Sequence, residues 1–313
     1  GNLFLRRGEV DRGIRIHQNL IARPTLTREQ RNQALFELGR DYMRAGLLDR
    51  AESLFLEVVE DGSYGLPSLQ QLIDIYQQEK EWEAAIDTAR RLDGRSGKKM
   101  RPTIAHFYCE LVEMELGKGS SGQAQKMLKK ALSEDKNCVR ASLIEGRLLL
   151  NAGNPKAALK AYKRVEQQDP DYLPEVIEPV QACYAALQRS SEAISFLTDI
   201  LERHGSASIA LALVEQLRRQ EGEEQAVGFL TDYLERHPSV RGMSRLIELK
   251  AIGSSEAQQQ DFSILHGLMD NILSGKPAYQ CGHCGFRGRT LHWQCPGCKQ
   301  WSTVKPIHGV EGE

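Results

Sequence analysis

A pattern of small and apolar residues that returns about every 34 positions is what most limits the folds open to this chain. Between Asn32 and Val58, Leu35, Leu38, Gly39 and Tyr42 share one face of an amphipathic helix. Gly46 interrupts it, and Ala51, Phe55 and Val58 mark a second helix. One period later Leu69, Leu72, Ile73 and Tyr76 precede Ala85, Ala89 and Leu92, with Tyr76 standing for Tyr42 and Ala85 for Ala51. The small residue returns because two helices that cross closely leave room for little more than a methyl group at the crossing.

Ala124, Ala158, Ala193 and Ala226 continue the series once an insertion near Asp93 to Arg101 is allowed. Around them, Tyr108, Leu111 and Val112 pair with Leu128 and Ala131, and Gly146 and Leu149 with Tyr162, Val165 and Pro170. Val180 and Tyr184 then pair with Leu197 and Ile200, and Leu213, Val214 and Leu217 with Leu230, Tyr233 and Pro238. A single hairpin cannot cover its own apolar face, so such units must stack into an all-α superhelical solenoid. At the start, Gly8 to Leu20 reads as the second helix of one more unit, with Gly13 at the crossing and its first helix cut short. Gly1 reads as an expression scar, with upstream residues removed. Val240 to Ala251 and Phe262 to Leu273 read as capping helices, and Ser274 to Pro277 as a short linker. The expected division is therefore a repeat array over 1–240, a cap and linker over 241–277, and a separate module over 278–313.

That last module carries the chemistry. Cys281 and Cys284 form one C-x-x-C pair, and Cys295 and Cys298 a second. Two such turns supply four thiolates for a tetrahedral ion, one per chain, iron or zinc. The segment is too short to bury a core that offsets its chain entropy, so the metal should be what folds it. Gly285 and Gly297 suit the tight backbone of metal knuckles. Arg287, Arg289 and Lys299 would offset part of the thiolate charge, and Tyr279, Phe286, Trp293 and Trp301 would cluster beside the site. His283 and His292 are near in sequence, but four sulfurs already complete the tetrahedron. Because the linker is short, the module should pack on the array, over residues 200–275.

Other function classes are poorly supported. With a net charge of −1 there is no basic footprint for nucleic acid, and no apolar run is long enough to span a membrane. Cys109, Cys138 and Cys183 stand singly in helical patterns as small buried hydrophobes, which fits a reducing compartment. No H-E-x-x-H, nucleophile elbow or paired-carboxylate arrangement is present, and GKGSSG over Gly117 to Gly122 lacks Walker spacing and reads as a loop. His17, His204, His237, His266 and His308 are scattered surface or packing residues.

The repeat pattern resembles the tetratricopeptide repeat. That resemblance implies a concave, peptide-binding groove lined by Phe36, Arg40 and Met43, then Gln70 and Asp74, then His106 and Glu113. Leu143 and Arg147, Glu178, and Leu211, Glu215 and Arg218 would continue it. A carboxylate clamp is not expected, since the repeated Lys and Asn pattern is missing. The repeats combined with YQCGHCG and WQCPGCK resemble the bacterial lipopolysaccharide assembly protein B family, over essentially the whole chain. The C-terminal piece is similar to a shortened rubredoxin or zinc ribbon, with Lys299 where rubredoxins usually have glycine.

The resemblance implies a non-enzymatic adaptor that restrains lipopolysaccharide synthesis. Such an adaptor sits at the cytoplasmic face of the inner membrane, held only by an upstream anchor absent from this chain. Its implied partners are a membrane-bound AAA+ protease, the deacetylase of the committed lipid A step and a membrane regulator. Two other readings stand beside it: electron transfer through a rubredoxin-like iron site, and a zinc-ribbon module for nucleic acid, against which the missing basic stripe argues.

Overall fold

The computed structural model describes residues 10–97, 99–252 and 254–309. Gly8, the expected start of the first helix, lies outside them; the described helix α1 runs over Val10–Ile21. By contacts the chain divides into a unit over residues 1–136 and a second over 137–313, and the second holds the C-terminal module together with repeats.

In the first unit, helical hairpins follow one another. They pair α2 (Arg28–Arg44) with α3 (Leu48–Val58), α4 (Gly65–Glu79) with α5 (Trp82–Ser96), and α6 (Arg101–Gly117) with α7 (Ser121–Glu134). Local sequence sets their ends. Thr27 and Gln30 close a capping box on α2, each side chain accepting from the other's amide at 3.2 and 3.1 Å. Gly46 leaves α2 in the left-handed conformation (φ 74°) that residues with a Cβ adopt at a cost. The crossing residues Ala51, Ala85 and Ala124 are fully buried. Gly39 shows why they must be small: a Cβ there would lie 2.8 Å from the Phe55 ring.

The insertion near Asp93 is absorbed mainly as helix. α5 runs on to Ser96, Arg95 donates to the Val59 carbonyl at 2.8 Å, and Asp93 accepts from the Met100 amide at 2.8 Å. His17 is a packing residue, its Nδ1 2.7 Å from Oδ2 of the fully buried Asp41. The GKGSSG stretch is the α6–α7 turn, with Gly119 at φ 76°.

The second unit pairs α8 (Val139–Asn151) with α9 (Pro155–Lys163), followed by the short α10 (Val165–Gln168) and a 3-10 turn over Pro170–Tyr172. Next come α11 (Pro174–Ala186) with α12 (Ser190–His204), α13 (Ala207–Gln220) with α14 (Glu223–Arg236), and α15 (Val240–Ala251) with α16 (Glu256–Leu273). Gly146 repeats the logic of Gly39, since a Cβ would collide with the Tyr162 ring. Gln181 turns its amide to the Ala212 carbonyl at 3.2 Å. One core gathers Val165, Tyr172, Val176, Val180, Leu197 and Leu213, and Leu291 and Trp293 of the C-terminal module pack against it. The module is a three-stranded antiparallel sheet, β1 (Tyr279–Cys281), β2 (Arg287–Gly288) and β3 (Val304–Pro306), in the order β2-β1-β3. Among the described residues no helix is long and apolar enough to cross a membrane.

Candidate metal centre

Two turns bring the cysteines together. In the first, the Cys281 amide donates to the Phe286 carbonyl at 2.7 Å and the Gly285 amide returns to the Cys281 carbonyl at 3.0 Å. In the second, Cys295 donates to Gln300 at 2.8 Å and Lys299 returns to Cys295 at 2.9 Å. The residue one beyond each pair is left-handed: Gly285 at φ 76° and Lys299 at φ 61°. The second knuckle thus keeps the backbone of a glycine position with a lysine in it. Gly297 has another reason to lack a side chain, because a Cβ would stand 3.2 Å from Cys284 Sγ.

The sulfurs of Cys281, Cys284, Cys295 and Cys298 all lie within 4.8 Å of one another, with Cys281 to Cys298 at 3.8 Å and Cys284 to Cys295 at 3.6 Å. Zinc–sulfur bonds of ~2.3 Å in a tetrahedron require sulfurs about 3.8 Å apart, so the cluster suits a single metal ion. Cys281 and Cys295 are buried, Cys298 half-buried and Cys284 exposed. Burial opposes ionisation of Cys281, but the Thr303 hydroxyl and the amides of Cys284 and His283 outweigh it and hold the thiol at about 6. Cys284 is aided by the Phe286 amide, yet desolvation and the other three sulfurs push it up to about 11. This split is that of crowded sulfurs competing for protons, which a divalent ion would replace. His283 lies 3.2 Å from Gln300 Nε2 and His292 3.3 Å from Thr290 Oγ1, and neither joins the cluster. The other cysteines, Cys109, Cys138 and Cys183, are buried, and burial pushes the Cys183 thiol up.

The aromatic residues do not gather as expected. Tyr279 and Phe286 pack by the sulfurs, but Trp293 faces away and stacks on Tyr172 of the helical repeats, ring centroids 5.3 Å apart. Tyr172 Oη donates to the Val304 carbonyl at 3.0 Å, and Val304 pairs with Cys281 across the sheet. Burial pushes the Tyr172 phenol well above its ordinary range, so it stays a donor. Lys305 Nζ bridges Asp169 and Asp171 at 2.8 and 2.9 Å, and Tyr279 Oη donates to Glu175 at 2.6 Å. Asp169, Asp171, Tyr172 and Glu175, upstream of the expected helices over 200–275, thus receive polar and stacking contacts from the module, while Leu291 and Trp293 pack on a core that also includes Ile209 and Leu213. The sequence signal available was the Asp-Pro-Asp-Tyr-Leu-Pro-Glu stretch over 169–175, a proline-bounded turn with a tyrosine among three acids.

Family models for tetratricopeptide repeats match residues 115–177 and 1–65, and one described as a rubredoxin metal binding domain matches 279–306. The lipopolysaccharide assembly protein B of Escherichia coli K12 is 40% identical over 313 residues, all of this chain and 80% of the relative. The chain belongs to the lipopolysaccharide assembly protein B family. The Haemophilus influenzae protein of that family is 33% identical, over 99% of this chain and 78% of the relative. A solved structure of Pseudomonas aeruginosa pilF superposes with a TM-score of 0.38 at 16% identity, covering 78% of this chain and 91% of that one, too loosely to bear on function.

In this lipopolysaccharide assembly protein B family member the expected groove residues behave unequally. Phe36 and Arg40 line a cleft of about 510 Å³ in the first unit with Leu66, Pro67 and Gln70. The Phe36 ring packs against those of Phe55 and Tyr64, each centroid 5.5 Å away, and Arg40 pairs with Glu37 at 3.3 Å. Met43 is half-buried on the same helix, whereas His106 is buried, with 4% of its surface exposed. In the second unit Leu143 packs against the core and Arg147 is exposed. Glu215 accepts from Arg218, Arg219 and Arg245 at 3.0, 2.9 and 2.9 Å, and Arg218 holds its carboxyl below the ordinary range ahead of the other bases. Glu215 and Arg218 are thus partners of each other first.

Proposed function

We propose that the chain is a non-enzymatic adaptor of lipopolysaccharide assembly whose four-cysteine module is a structural part of the docking surface. The observation that carries this reading is the 40% identity to Escherichia coli lipopolysaccharide assembly protein B, which runs through both the repeats and the metal module. In this reading Cys281, Cys284, Cys295 and Cys298 hold one zinc or iron ion, which ties the two knuckles and keeps β3 in place against Tyr172. The repeats over 1–240 supply protein-binding surface, with Phe36, Arg40, Met43, Leu143, Arg147, Glu215 and Arg218 as contact residues. Residues 241–277 cap the array, and residues 278–313 form the metal module. At the cytoplasmic face of the inner membrane the adaptor presents the lipid A committed-step deacetylase to a membrane-bound AAA+ protease, under a membrane regulator, and performs no bond chemistry itself.

The test is affinity capture from bacterial membrane extract, comparing the protein in its full membrane-anchored form with its Cys281→Ser, Cys284→Ser variant. Retention of the protease and the deacetylase by the first, and their loss from the second, is expected. Retention of neither by the unaltered protein ends the adaptor reading. The exposed position of Cys284 favours a second reading, electron transfer through an iron form. A reductase captured in place of the protease, with reversible bleaching of a visible thiolate–iron band, would select it.

A further inference from the structure

The last helix of the second unit, α16, lacks a buried anchor. None of its residues is fully buried; Phe262, His266, Met269 and Leu273 are half-buried along one face, and the helix packs on α15. With so little apolar surface withdrawn from water, local opening of α16 costs less than opening of the core, and a single polar contact weighs more. His266 makes such a contact in two directions. Its Nε2 lies 2.6 Å from Glu248 Oε1 of α15, and its Nδ1 lies 3.2 Å from Asp270 Oδ2, one turn further along α16. A neutral imidazole carries one N–H, so whichever nitrogen holds it, the other turns a lone pair toward a carboxylate oxygen. Only the imidazolium presents a donor to both.

Glu248 is a fixed acceptor in this arrangement. Burial opposes its ionisation, but Arg245, 2.6 Å from its other oxygen, and His266 outweigh burial and hold the carboxyl below its ordinary range. Arg245 also pairs with Glu215 of α13 at 2.9 Å, so acids and bases alternate from α13 through α15 to His266. The other charged groups of the two packed helices are Arg241, which donates to Ser208 at 3.2 Å, and Lys250, Glu256 and Asp261. Of all these side chains, histidine is the type whose charge changes between pH 5 and 8. We propose that His266 is a proton-operated latch: protonated, it ties α16 to α15 through Glu248, and on losing its proton it gives up the charge in that bond, so that α16 opens more often. The sign follows from linkage. The docked helix offers the imidazolium a carboxylate that the opened helix leaves behind, so docking takes up protons and a rise in pH favours opening.

The test is amide hydrogen exchange of the intact chain, with each rate divided by the intrinsic rate at that pH, so that what remains is the fraction of time an amide is open. Between about pH 5.5 and about pH 8 the open fraction over 256–273 should rise about threefold, the size of one partly exposed ion pair. His266→Gln should hold the open fraction near its high-pH level throughout. Because a loss can reflect misfolding, His266→Arg supplies the opposite result: it keeps a charge facing Glu248 at every pH and should hold the fraction near its low-pH level. A profile of the unaltered chain that is flat, or that falls as pH rises, overturns the latch. So does the same profile persisting in His266→Gln or in His266→Arg, since the pH dependence then belongs to another group. No lipopolysaccharide enzyme or protease enters this assay, so its failure leaves the adaptor reading standing, and failure of the capture experiment leaves the latch.

Discussion

The ring of Trp293 lies on that of Tyr172 with planes 26° from parallel, joining the metal module to the turn between the fourth and fifth helical hairpins. The hydroxyl of the same tyrosine is bound to β3, so one side chain reads both the outer face and the edge of the module.

Removing that hydroxyl should be measurable alone. Tyr172→Phe leaves the Val304 carbonyl without its donor in a buried setting, at a cost of about 1–3 kcal/mol in urea unfolding. Tyr172→Leu should cost a further ~0.5–1.5 kcal/mol through the lost ring stack. Equal stabilities of the unaltered protein and the phenylalanine variant would remove the hydroxyl from the account.

Metal removal should be felt at a distance. On chelation, or in Cys281→Ser, amide exchange should rise not only over 279–306 but also over 165–186, and Trp293 fluorescence should shift as it leaves Tyr172. Protection over 165–186 that is indifferent to metal would disconnect the two.

The lysine bridge sets a pH window. Lys305 holds the Asp171 carboxyl below its ordinary value, against some desolvation. A carboxyl lowered in the folded state contributes stability above its unfolded value of ~3.9, lost as pH falls through the folded value. Lys305 is pushed down by desolvation but raised overall by Asp169 and Asp171, so its share is present below ~10.4 and lost as pH rises through its own higher value. Asp171→Asn should therefore flatten the acid limb of the stability profile below about pH 4 and leave mid-range slopes alone. An unchanged acid limb in that variant would show the bridge to be idle.

Two glycines that look alike in sequence should respond in opposite directions. Gly146→Ala drives a methyl into the Tyr162 ring and should destabilise by about 1–3 kcal/mol. Gly228, inside α14 with nothing within 4 Å of a built Cβ, should gain about 0.5–1 kcal/mol as alanine. Thermal melts of the two variants decide it, and a shift of the same sign in both would refute the crossing argument.

Much of this architecture was legible because its contacts are local. Gly39 meets Phe55, and Gly146 meets Tyr162, within one hairpin, so a spacing rule carries them. The doubled C-x-x-C is local for the same reason, and its sulfurs converge as the spacing predicts. The resting place of the module was not legible. The short linker suggested the nearest helices, but α16 alone spans about 27 Å and carries the chain to a turn made far earlier. Nor could the sequence say which aromatic faces outward in a module of short strands, where no period ties residue to face; Trp293 took that role. His106 misled for the opposite reason, since a polar residue in a repeat position reads as surface until its burial is seen.

The pairing of Tyr172 with Trp293 also has a consequence for synthesis. Tyr172 leaves the ribosome well over a hundred residues ahead of its partner, and at translation speeds of roughly 5–20 residues per second the gap lasts about 6–24 s. For that interval the turn that the finished protein keeps covered faces solvent and whatever chaperones are near.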